Sequence, residues 1–201
     1  GGFNANTIKE VLRLKDVFKK KGCKVRLRGV GKKGNAYFKF KEIELLDAVE
    51  GLSSSPDYDQ SVDFINKALK DYLDGVTDKV ILIHNGFLNM ITQEVRTQDL
   101  LPIDTEFTHV PESLSLMEVE PQDDEETILE QLAGKYVEYS MYYSLLDSLA
   151  AEHSARAQAM DAATKNASEM VDNLTLQYNK ARQESITTEL IEINTGMAAM
   201  N

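Results

Sequence analysis

The sequence predicts an α/β chain in which a small three-layer globular domain runs into one long C-terminal helix. Three observations carry this expectation. Helix-like and strand-like periodicities alternate over the first hundred residues. A stretch punctuated by Pro111 and Pro121 and rich in acids follows, and then come 61 consecutive positions, 135–195, with neither Gly nor Pro.

Asn4-Ala5-Asn6-Thr7 offers capping side chains, and Ile8, Val11, Leu12 and Leu14 to Phe18 recur at helical spacing until Gly22. In residues 24–30, Val25 and Leu27 alternate with Arg26 and Arg28, as in a half-buried strand. A second helix is expected over about residues 60–73, with Val62, Ile65, Leu69 and Tyr72 on one face and Gly75 past its end. Residues 79–84 read as a buried strand, Asn85-Gly86 as a turn, and residues 91–101 as a returning strand before Pro102. The alternation suggests a Rossmann-like layering with a parallel core and an antiparallel edge. Residues 104–126 read as a loop or linker. The expected domains are therefore 1–123, globular, and 124–201, a helical shaft.

In the helix a 3,4 repeat passes through Leu146, Leu149, His153, Arg156, Met160, Ala163, Ala167, Met170 and Leu174, which is a heptad seam. A helix from 135 to about 200 is ~100 Å long at ~1.5 Å per residue, against ~35 Å for a compact domain of about 120 residues. Such a helix cannot cover its own apolar stripe, and the small Ala163 and Ala167 suit a closely packed second helix. No other segment is long enough to supply one, so a partner is expected. The stripe continues through Val171, Leu174, Tyr178 and Ala181, breaks across Arg182-Gln183-Glu184-Ser185, and resumes at Ile186, Leu190, Ile193 and Met197. A five-residue step from Ala181 to Ile186 interrupts the repeat and exposes charge and amide groups suited to a surrounding protein.

Composition narrows the function classes. Apolar residues make up 42% and charged residues 27%, ordinary for a soluble protein. Cys23 is the only cysteine, which excludes an intrachain disulfide and a cysteine-based zinc cluster and suits a reducing compartment. The longest apolar run, residues 80–83, is far short of a membrane span. The chain opens at Gly1-Gly2-Phe3 without an initiator Met, and it is expected to be a piece of a longer one. Residues 1–41 hold 13 Lys/Arg against Glu10 and Asp16, while the remainder holds 9 against 31 acids. Two electrostatically different neighbours are expected, the basic end being a solvated face or a surface for an acidic protein rather than a nucleic-acid site.

Gly29-Val30-Gly31-Lys32-Lys33-Gly34 matches a dinucleotide-binding glycine pattern in letters. That chemistry needs a helix to open at the glycines, and Asn35 to Lys41 reads as extended or loop-like, so a flexible loop is expected. His84, His109 and His153 have no ligand spacing, and no nucleophile stands beside a base in the pattern. No cofactor, metal or catalytic residue is assigned.

Tyr178-Asn-Lys-Ala-Arg-Gln183, Ile186-Thr187, Glu189-Leu190, Glu192-Ile193 and Gly196 resemble the C-terminal signature of the gamma subunit of F-type ATP synthases. Gly1-Gly2-Phe3-Asn4, Gly31-Lys-Lys-Gly34, Glu152-His-Ser-Ala-Arg156 and Met160 to Ala167 extend the resemblance over the chain, with Met197, Asn194 and Thr195 as departures. Members begin with a long helix and a first strand that are missing here, and that helix is the implied antiparallel coiled-coil partner of residues 135–200. The resemblance implies a non-catalytic rotor shaft coupling proton-driven rotation of a membrane ring to ATP synthesis. Its implied partners are the alpha and beta subunits of a catalytic hexamer, the epsilon subunit and the c-ring. It places the subunit peripherally on the cytoplasmic face of a bacterial inner membrane, the chain's overall acidity favouring a bacterium. Arg182, Gln183, Thr187 and Glu189 are the implied contacts with catalytic-subunit loops, and Glu118, Val119 and Glu120 the implied foot. The alternatives are a generic coiled-coil scaffold or adaptor protein and a nucleotide-binding α/β enzyme with a helical tail.

Overall fold

The computed structural model describes residues 2–103 and 125–199. Its elements run α1 (Gly2–Lys20), β1 (Leu27–Val30), α2 (Lys32–Phe40), β2 (Leu45–Val49), α3 (Tyr58–Leu73), β3 (Val80–Phe87), β4 (Gln93–Leu101) and α4 (Glu125–Ala198). The class is the expected one, mixed α/β with small sheets and a long C-terminal helix. The strands pair as two ladders, β1 with β2 in parallel and β3 with β4 antiparallel. The chain divides into two compact units, 1–155 and 156–201, so α4 contributes to both. The expected boundary at 123/124 lies outside the described residues.

Several local expectations are corrected. Helix α1 begins before the supposed capping residues, and Thr7 instead donates its hydroxyl to Asn85 Oδ1 at 2.8 Å, tying α1 to β3. Residues 32–40 are helical, not extended: buried Asn35 and Phe38 sit at i, i+3 on one face, and a parallel β1–β2 pair needs a crossover. Strand β3 continues through Asn85-Gly86, and the turn comes later, where Asn89 Oδ1 accepts from the amides of Ile91 (2.9 Å) and Thr92 (2.8 Å). That local side-chain bond mimics a backbone turn. Helix α4 starts at Glu125, and Gly134 lies within it rather than before it.

The core of the first unit lies where α3 and the early turns of α4 meet the end of β4. Leu52, Phe64, Ile65, Ala68, Leu100, Leu101, Val137, Met141 and Leu145 form it. Burying each of the larger aliphatic side chains contributes about 1.5–3 kcal/mol before entropy is counted. Helix α3 presents Ser61, Phe64, Ile65 and Ala68 inward, and the Asp57 side chain caps it by accepting from Gln60 N at 2.9 Å. Tyr58 donates to Glu138 Oε2 at 3.0 Å and packs against Tyr139 and Tyr142. Lys135 holds the Glu138 carboxyl below its ordinary range through a 2.6 Å ion pair. Part of the N-terminal positive charge is satisfied internally: Arg28 meets Asp71 at 2.8 Å and Asp47 at 3.7 Å, and Lys67 also reaches Asp47.

Candidate functional site

The glycine pattern is a crossover device. Gly31 turns the chain from β1 into α2 at φ 111°, and its amide donates to Val49 O at 2.8 Å. A Cβ on Gly29 would run into the Asn35 side chain, which itself reaches the carbonyls of Gly29 (3.5 Å) and Val49 (3.3 Å). A helix does open at the glycines, yet the space a phosphate would need beside Gly29 holds the chain's own carboxamide. Gly34 lies within the helix with open space around it.

Helix α4 is seated on the β3–β4 hairpin by polar contacts that periodicity did not reveal. Asp147 Oδ2 accepts from Arg96 Nη1 at 2.9 Å and from His84 Nε2 at 3.2 Å, while Oδ1 accepts from the Phe87 amide at 3.1 Å. The His84 and Asp147 side chains are 9% and 8% exposed. Burial pushes the His84 pKa down, only partly opposed by Asp147. One residue pair earlier read as a turn has another purpose here: a Cβ on Gly86 would collide with the Arg96 guanidinium. Seven residues on, Ser154 donates to Met90 O at 2.8 Å and accepts from Gln93 Nε2 at 2.9 Å. The signal in the sequence was an Asp on an otherwise apolar helix face, followed by small residues at 151 and 154.

From 159 to 198 every residue of α4 is exposed. The exposed positions include Met160, Met170, Leu174, Tyr178, Ile186, Leu190, Ile193 and Met197, all at 50% or more, together with Ala163 and Ala167. Of the upper seam, Leu146 is 41% exposed and Leu149 is half-buried, whereas the neighbouring Leu145 is the core residue.

Arg182, Gln183, Thr187 and Glu189 lie exposed on this part of α4. At about 100° per residue, Arg182 and Glu189 share one stripe and Gln183 and Thr187 another, flanking the apolar line of Ile186, Leu190, Ile193 and Met197 on both sides. Thr164, Thr175, Thr188 and Thr195 turn their hydroxyls back to carbonyls four residues earlier at 2.8–2.9 Å. Thr187 makes no such bond among the described residues. Gly196 has nothing within 4 Å of its Cβ position, so the chain alone gives no packing reason for a glycine there. Glu118, Val119 and Glu120 lie outside the described residues, as does His109. No group of His, Cys, Asp and Glu among the described residues could hold a metal ion, and no described helix is long and apolar enough to cross a membrane.

The ATP synthase family model matches residues 1–200. The chain is 62% identical over 200 residues to the ATP synthase gamma chain of Wolinella succinogenes, covering all of this chain and 67% of that one. Its fold matches a chain from the Euglena gracilis mitochondrial ATP synthase with a TM-score of 0.65 at 18% identity, covering 100% of this chain and 69% of that one. A chain from the central stalk and c-ring structure of the Tetrahymena thermophila enzyme gives 0.57 at 24% identity, covering 82% and 70%. A small mixed domain, a long helix with an uncovered seam and identity of this extent lead to one conclusion: the chain belongs to the gamma-chain family of ATP synthases.

Proposed function

We propose that this chain is the central-stalk rotor subunit of a proton-translocating F-type ATP synthase. Its work is mechanical: rotation of the membrane ring is passed to the catalytic hexamer, while bond chemistry stays in the partner subunits. The observation that carries this reading is the continuous exposure of the seam and stripe from Met160 to Met197. Eight large apolar side chains on one unpartnered helix need a covering surface, because their exposure in water is unfavourable at ~25 cal/mol per Å² of apolar area.

In this reading residues 1–123 are the globular domain and 124–201 the shaft. Leu146, Leu149, Met160, Ala163, Ala167, Met170 and Leu174 face a second helix in an antiparallel coiled coil. Arg182, Gln183, Thr187 and Glu189 meet loops of the alpha and beta subunits, and Glu118, Val119 and Glu120 belong to the foot near the epsilon subunit and c-ring. The subunit is peripheral to the cytoplasmic face of a bacterial inner membrane. Coupling works by biasing catalytic subunits among states of different nucleotide affinity, which requires only that the shaft contact those states differently.

The test is the Arg182→Ala, Gln183→Ala double variant in the assembled enzyme. Both side chains are exposed, so helix content by circular dichroism stays at the wild-type level. ATP synthesis is expected to fall several-fold, in the range of a coupling energy of about 1 kcal/mol or more. Synthesis at the wild-type rate removes both residues from the proposed contact.

A further inference from the structure

Resting on the rotor reading above, we propose that Asp147 is a positioning residue that fixes α4 against the β3–β4 hairpin, so that the first unit and the early turns of the helix rotate as one body. The apolar contacts around Val137, Met141 and Leu145 are non-directional and tolerate small slides of a helix along its seat. The Asp147 cluster does not. Its carboxylate takes three donors from two strands: His84 Nε2 and the Phe87 amide on β3, and Arg96 Nη1 on β4. A slide of one residue, about 1.5 Å with a turn of about 100°, breaks all three at once.

The neighbouring groups support this arrangement. An ionised Asp147 only accepts, so His84 carries its proton on Nε2 and presents a bare lone pair at Nδ1. That Nδ1 is buried with no hydrogen-bond partner among the described residues, so the ring is held from the Asp147 side alone. Gly86 clears the path by which Arg96 reaches the carboxylate. Arg96 also meets Glu94 at 2.9 Å, which orients the guanidinium from the exposed side. Ser154 supplies a second polar pin on the same helix face, two turns along. A buried charge held by three directed bonds is costly to uncouple, which is the property a torque-bearing joint requires.

The experiment uses the full-length subunit, alone and assembled in its enzyme, with Asp147→Ala, His84→Gln and His84→Leu. In the isolated subunit, Asp147→Ala is expected to speed exchange of the Phe87 amide at least about tenfold. In inverted vesicles, ATP hydrolysis by Asp147→Ala stays within about twofold of wild type while proton pumping per ATP falls at least about threefold. His84→Gln keeps a donor at the Nε2 position and pumps as wild type; His84→Leu loses pumping relative to hydrolysis. Unchanged Phe87 exchange overturns the clamp. Accelerated exchange with pumping per ATP intact, or equal behaviour of the two His84 variants, reduces the cluster to a fold contact and overturns its coupling role. A wild-type subunit that fails to enter the enzyme overturns the rotor reading, and with it the coupling role, while the exchange result still decides the clamp.

Discussion

The same substitution at two points of one helix separates a covered face from an uncovered one. Met141 is 3% exposed in the core and Met170 is 64% exposed. Truncating Met141 to Ala removes buried methylenes and leaves a cavity among Phe64, Ile65 and Leu145, and such changes cost about 2–4 kcal/mol. At Met170 only the covered third of the side chain is lost, and alanine's better helix propensity offsets part of it, so the net effect is under about 0.5 kcal/mol. With a urea slope of about 2 kcal/mol per M, Met141→Ala lowers the unfolding midpoint by about 1–2 M and Met170→Ala by less than about 0.3 M. The chain has no tryptophan, and Tyr58, Tyr139 and Tyr142 cluster beside this core, so tyrosine fluorescence reads the transition. Amide exchange over residues 165–175 makes the same comparison on the distal helix. Once a partner helix lies on the seam, Met170→Ala acquires a cost of about 1–3 kcal/mol, seen as weaker assembly. Equal midpoint shifts for the two variants in the isolated chain would refute the claim that the seam is open.

Two glycine substitutions have opposite expected signs. Gly86→Ala pushes into Arg96 and disturbs the Asp147 contacts, lowering stability by about 1–3 kcal/mol, whereas Gly134→Ala meets open space within a helix and raises it by about 0.5–1 kcal/mol; thermal melting distinguishes them. The pH dependence follows from His84. Its folded-state pKa lies below the ordinary value of about 6.5, so as pH drops through that value the unfolded chain takes up a proton that the folded chain resists. Stability from this group is complete above about pH 6.5 and declines below it, and His84→Gln should remove that part of the slope in urea titrations at pH 7.5 and 5.5.

What the sequence made legible was periodicity, and what it hid was pairing. Helices α1 and α3 carry 3.6-residue patterns, and the long α4 carries a 3,4 heptad repeat. Strand β2 escaped notice because its alternation is inverted: Leu46 faces out at 47% exposure while Asp47 turns toward Arg28 and Lys67. Helix α2 was masked by Tyr37-Phe38-Lys39-Phe40, whose aromatic alternation imitates a strand although only Phe38 is buried and Phe40 is 80% exposed. The misplaced turn has the same origin. Asn85-Gly86 has turn chemistry, but Asn85 is engaged by Thr7 and Gly86 makes room for Arg96. The apolar stripe of α4 was readable because nothing among the described residues covers it. The Asp147 cluster was not, since its members are separated by up to 63 residues.

The carboxamide of Asn35 beside Gly29 has a consequence for reading such loops in other chains. A glycine in this position reports only that some group must come within a few ångströms of the main chain, and here that group is tethered six residues away. A tethered occupant competes as though at very high local concentration, so a free phosphate meets a seat that is already taken. The same letters that open a nucleotide cradle in one protein therefore serve in this one as a permanently closed latch between strand and helix.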